Sequence, residues 1–139
     1  MGLPFHYVDL RAFCYATEDE QRVRDALRTV LPAEAEVESS VGEGHHGDRI
    51  VILSSRVDRA ADVEAIFDRL KREIDLERVR AELEDRLDDN NALYIGLDKQ
   101  AAARGVLRLG DGVILRAKVE AYPAKRETAL ENASEVLPE

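Results

Sequence analysis

The sequence predicts a single α+β domain, a mostly antiparallel sheet with helices packed chiefly on one face. Three observations lead there. The length of 139 residues suits one domain around one core. Short runs of period-two apolar alternation mark strands, and runs of period 3.6 between them mark amphipathic helices. Neither a repeat, a linker nor a low-complexity tract interrupts the pattern.

The first strand covers residues 5–15, FHYVDLRAFCY. Val8, Leu10, Ala12 and Cys14 point to the core, and Tyr7, Asp9, Arg11, Phe13 and Tyr15 point away. A helix opens at Thr17, with Glu20 three residues on as a capping box, and Val23, Ala26, Leu27 and Val30 as its stripe. Pro32 ends it. Residues 35–41 form a strand, and RIVILSSRV, nearly all apolar or β-branched at its start, forms a buried one. Asp58 caps a second helix with Val63, Ile66, Phe67, Leu70 and Ile74 on one face. The helical pattern continues through Leu76, Val79, Leu83 and Leu87 to about residue 88, with a break or kink at Asp75. DDNN is a loop, and ALYIGL is a strand with Leu93, Ile95 and Leu97 inward. Asp98 caps the short turn KQAAAR, which Gly105 closes. A hairpin follows, VLRL against VILRAKVEAY. The register that keeps its faces consistent is a three-residue loop with Gly112 as the bulge glycine, pairing Leu109 with Val113 and Arg108 with Ile114. Arg108, Arg116, Lys118 and Tyr122 then share the outer face. Pro123 starts a last helix.

The formal charge is −9, from 29 acidic and 20 basic residues, and the basic residues are 4 Lys and 16 Arg. An acid excess with few lysines suits a protein soluble at high salt, as in a halophile; the plainer reading is an ordinary acidic protein. The single cysteine, Cys14, excludes an internal disulfide and fits a reducing, cytoplasmic setting. Nothing in the N-terminal stretch reads as a signal peptide and no apolar run is long enough for a membrane span, so no membrane partner is expected. The charge is uneven. Between Lys99 and Arg126 lie seven basic residues and two acidic ones, Asp111 and Glu120. A basic block in an acidic chain invites an anionic partner; alternatively these cations pair with the acidic helices.

The stretch GEGHHG, residues 42–47, spells G-x-G-x-x-G. A dinucleotide loop must follow a strand and open a helix, whose N-terminus holds the pyrophosphate; this one opens a strand, so its glycines serve a hairpin turn. His45 and His46 are adjacent, and adjacent side chains rarely aim at one metal; with no paired cysteines and no HExxH, neither metal nor cofactor is expected. The loop's role stays open. Cys14 alternates with core positions and reads as a buried thiol, not a nucleophile. The strongest constellation is the outer hairpin face, where Arg108, Arg116, Lys118 and Tyr122 combine cations with a stacking ring suited to phosphate and base. Lys99 and Gln100, at a helix start with free N–H groups, and Arg104 beside them extend it. Arg11 and Tyr15 join if the first strand is the neighbour. A solvated sheet face is the bland alternative.

Four stretches, HYVDLRAFCYATEDEQRV, EGHHGDRIVIL, LYIGLDKQAAARGVLRLGDG and KVEAYPAKRETAL, together resemble an archaeal RNA-binding family described as exosome-subunit-like. The resemblance runs over nearly the whole chain, and the HHG loop and DKQAA turn are its most specific parts. It implies a fold similar to ribosomal protein L5, a likeness to double-stranded-RNA-binding domains, and no catalytic residues. The expectation is thus a non-catalytic RNA-binding protein, associated with ribosomal or exosomal RNA and an RNA-processing complex. Three alternatives stand beside it. An assembly adaptor would use Phe13 and Tyr15 as a protein surface, a homodimer would bury the same sheet face, and an enzyme would need a cleft joining His45, His46 and a carboxylate.

Overall fold

The computed structural model describes residues 3–43 and 47–138. Five strands form one antiparallel sheet: β1 (Phe5–Cys14), β2 (Glu38–Glu43), β3 (Arg49–Val57), β4 (Ala92–Asp98) and β5 (Gly112–Val119), in the spatial order β2-β3-β1-β5-β4. Strand alternation puts Val8, Leu10, Ala12 and Cys14 of β1 on the same side as Leu53, Ile95, Leu115 and Ala117, all buried in one cluster. Helices close over that side. Helix α1 (Glu20–Val30) contributes Val23, Ala26, Leu27 and Val30; α2 (Ala60–Glu73) contributes Val63, Ile66, Phe67 and Leu70. Phe67 stacks on Phe5 with ring centroids 4.5 Å apart. The short α3 (Leu76–Ala81), α4 (Leu83–Arg86) and α5 (Lys99–Ala103), then α6 (Arg126–Val136), complete the layer. The other face of the sheet is left to solvent, as antiparallel sheets allow.

Several local expectations are corrected. Helix α1 starts after Asp19, whose carboxylate accepts from Gln21 N at 2.9 Å; Thr17 does not cap it. Arg59, not Asp58, precedes α2, and it makes no side-chain cap bond. The expected break at Asp75 is present, and its carboxylate accepts from Arg78 N to open α3. Asp98 caps α5 through Ala101 N at 2.8 Å, and Gly105 takes φ +86°. Gly47 has φ +78°, as a turn glycine should, whereas Gly42 lies within β2, opposite Ile50. Pro123 does not begin the last helix, which starts at Arg126 after Lys125.

The largest correction is the hairpin. Residues 106–111 form no strand against β5. Gly110 N donates to Gly96 O at 3.1 Å, Asp98 N donates to Arg108 O at 2.9 Å, and Leu109 bridges Leu97. The chain therefore runs along the outer edge of β4 and rounds its C-terminal end before entering β5, which inserts between β4 and β1. The physical reason is edge satisfaction: β4 would otherwise present open N–H and C=O groups, and this path still buries Leu107.

Candidate nucleic-acid interface

Each strand contributes every second residue to the uncovered face, and the register sets them in rows. One row is Tyr94 of β4, Arg116 of β5, Asp9 of β1 and Arg56 of β3. Arg56 grips Asp9 with two bonds, Nε to Oδ1 at 2.7 Å and Nη2 to Oδ2 at 3.0 Å, the fork geometry that suits a carboxylate. Its guanidinium also lies 3.9 Å from the centre of the Tyr7 ring. From the other side Arg116 Nη2 stands 3.8 Å from Asp9 Oδ2 and donates to the Tyr7 hydroxyl at 3.4 Å. Hydrogen bonds to Tyr7 and then Tyr94 raise Arg116 above its already high ordinary value, so it stays charged at every working pH. Two arginines thus share one carboxylate.

Lys118 flanks this row beside Tyr7, with its ammonium on Asn90 O. Towards the other end lies the row Gly96, Ile114, Arg11, Ser54 and, on β2, the exposed Glu38. Arg11 is exposed and makes no ion pair among the described residues. Beyond it Phe13 stands next to Ile52, and Tyr15 follows just past the strand, its ring 6.5 Å from that of Phe13. The adjacency of β1 and β5 that the sequence left as a condition is therefore present, and it brings Arg11 and Tyr15 onto one surface with Arg116 and Lys118.

Other sequence candidates lie elsewhere. Arg108, on the edge segment, shares no strand face with Arg116 and stands 3.8 Å from Asp98. Strand β5 ends at Val119, so Tyr122 falls in the connection to α6, fully exposed and off the sheet. Lys99 is no free cation: Nζ donates to Glu18 Oε1 at 2.8 Å and Phe13 O at 3.0 Å, with only 13% of the side chain exposed. The α5 start is not an open anion cradle either, because Lys99 N donates to Asp111 O and Ala101 N to Asp98. Gln100 and Arg104 are exposed beside it. Arg126 turns inward onto Glu84 O at 2.6 Å and Leu87 O at 2.9 Å, tying down the end of α4. The basic block of the sequence thus divides between surface and framework. His45 and His46 lie outside the described residues, and no cluster of three or more metal-ligating side chains occurs among those described. No helix among them is long and apolar enough to cross a membrane.

Cys14 is buried, and burial followed by the Glu18 charge pushes its thiol up, away from reactivity. Reasoning from sequence missed Tyr7, Arg56 and Tyr94. The outward positions of β1 and β3 signalled the first two, but only the strand order sets Arg56 across from Asp9.

A family model described as RNA binding matches residues 7–119. An RNA-binding protein of Pyrococcus abyssi is 28% identical over 97% of this chain and 95% of its own length. Among solved structures, a DUF54 protein from Methanothermobacter thermautotrophicus is 41% identical with a TM-score of 0.81, covering 96% of this chain and 98% of that one. The crystal structure of a DUF54 protein from Archaeglobus fulgidus gives 31% identity and a TM-score of 0.86, covering 94% and 98%.

Proposed function

This chain belongs to the family described as RNA binding, and from that premise we propose a non-catalytic RNA-binding protein whose contact surface is the helix-free face of the sheet. One observation carries the assignment: Arg11, Arg56, Arg116 and Lys118 gather around Asp9 on that face, with Glu38 as a second carboxylate at its β2 edge, in a chain of net charge −9. A remainder that is acidic on balance steers a polyanion to this surface. Phosphate contacts position the RNA, with Arg11 as the open cation, Lys118, whose ammonium rests on Asn90 O, as a second, and Tyr15 as a ring for a base. Arg104 and Arg108 lie at the rim.

RNA in processing, ribosomal or exosomal, and a processing complex in the cytoplasm are the setting we assign, on the resemblance. The acidic remainder and the arginine bias fit a protein working in concentrated salt. There counterion release contributes little and stacking and shape must contribute more.

Affinity for RNA measured against log salt tests the surface. Lys118→Ala and Arg11→Ala should each weaken binding at low salt and flatten the slope by about 0.7 per lost phosphate contact on a single strand. Arg22→Ala, on the exposed side of α1, should change neither. If both sheet variants bind RNA as the wild type does, with the same slope, the face is not the site.

A further inference from the structure

Resting on that reading, we infer that the RNA this face takes is single-stranded, with unpaired bases stacked on Phe13 and Tyr15 and the adjoining phosphate held by Arg11. The two ends of the face differ in what they leave free. At the Tyr7 end the polar groups are already engaged: Arg56 and Arg116 both lean on Asp9, and Arg56 occupies the Tyr7 ring. At the Phe13 end Lys99 and Glu18 are engaged with each other, but Arg11 makes no ion pair among the described residues. Glu38 stands at the β2 end of the Arg11 row, and around Arg11 lie Ile114 at 38% exposure, partly exposed Phe13 and Ile52, and Tyr15 at 49%.

The rings are held in place from the framework side. Phe13 is fixed within the central strand between β3 and β5. Lys99 Nζ bonds the Phe13 carbonyl and lies 5.3 Å from the centre of the Tyr15 ring, while the Glu18 carboxylate accepts from Tyr15 N at 3.1 Å. A rigid ring loses little freedom when a base stacks on it.

The chemistry of this end selects among anions. A duplex offers phosphates, 2′-hydroxyls and groove edges, but its bases are stacked on each other and present no face to a ring. Duplex binding would also need many open cations, and here the Asp9 carboxylate stands among those available. A protein partner would cover the apolar patch but would bury Arg11 unpaired unless it brought its own carboxylate, a costly arrangement. A single strand brings a phosphate with every base, and base stacking tolerates salt.

The full-length chain is titrated with labelled oligouridylate and with a blunt RNA duplex of equal length, and the oligomeric state is measured alongside. The wild type should bind the single strand at least about tenfold more tightly than the duplex. Tyr15→Ala and Phe13→Leu should each weaken single-strand binding by about 5- to 150-fold, the range for losing one stacked base. Tyr15→Phe, which keeps the ring, should bind like the wild type. Circular dichroism checks that each variant is folded; should Phe13→Leu unfold, the Tyr15 pair decides alone. If the duplex binds equally well, or if both variants keep their affinity while Lys118→Ala loses it, stacking at this end is wrong and RNA binding on the face still stands. A dimer that Tyr15→Ala dissociates without loss of RNA affinity makes the patch a protein interface and also overturns the inference. If no RNA binds at any salt, the functional assignment falls, and this one with it.

Discussion

Removing the Lys99 ammonium takes one donor from each of two part-buried acceptors, the Glu18 carboxylate and the Phe13 carbonyl. Burial alone would raise the Glu18 carboxyl. The hydrogen bonds from Lys99 and from Tyr15 N, with the Lys99 charge, outweigh it and hold the group below its ordinary value. A depressed carboxyl contributes stability that is present above its unfolded value, about 4.3, and is lost as pH falls through the folded value. Lys99→Met should therefore cost about 1–3 kcal/mol at pH 7. The gap in Tm between wild type and variant should narrow as pH drops below about 4. A gap that stays constant down to pH 2 would show that Lys99 acts only through the packing of its stem on Gly112. Arg69 has a similar framework role, joining Thr29 O at the end of α1, Gly105 O at 3.1 Å and Glu73 at 2.6 Å.

At the scale of elements, β4 depends on how closely its edge segment can approach. A Cβ on Gly96 would lie 2.5 Å from Gly110 O, and one on Gly110 would meet Asp98 Cβ at 2.9 Å. Neither atom can swing aside, since one is a backbone oxygen and the other a Cβ fixed to its Cα. Gly96→Ala should destabilise the fold by about 1–3 kcal/mol, the usual cost of forcing volume into a packed site. Gly42→Ala is the matched control, since the nearest atom to its Cβ would be Ile50 O at 4.0 Å. Thermal melts of the two decide the matter, and equal melting temperatures would mean that the edge segment is not tightly docked. A glycine in the middle of the predicted strand ALYIGL was the available sign of such an approach. It does not say which segment approaches.

Over the whole molecule, Asp9 is a carboxylate held between two arginines in the middle of the uncovered face of a polyanionic body. It organises Arg56 and Arg116 and at the same time repels phosphate. Asp9→Asn keeps the shape and removes the charge, so the two roles should separate. Stability should fall by about 1–3 kcal/mol through loss of charge-assisted hydrogen bonds. RNA affinity at low salt should rise, and the rise should vanish at high salt as screening shortens the reach of the charge. Unchanged affinity at low salt would mean that bound phosphates stay more than a Debye length, about 10 Å at 0.1 M salt, from this row.

Periodicity alone determined which residues are inside. Val8, Leu10, Ala12 and Cys14, the stripes of α1 and α2, and Leu93, Ile95 and Leu97 are buried as their spacing requires, because alternation and the helical repeat are local properties of the chain. The breaks at Asp75 and Asp98 were legible for the same reason, since a cap acts within three residues. Strand order was not local. That β5 enters between β4 and β1, and so sets Arg116 across from Asp9, follows from satisfying the β4 edge with residues 108–110, a choice no short window contains. The same holds for charge. Counting placed a basic block between Lys99 and Arg126, but whether a cation faces solvent depends on which carbonyl or carboxylate the fold brings within about 3 Å of it. Lys99 and Arg126 found such partners in distant segments, while Arg11, outside the block, was left open on the face.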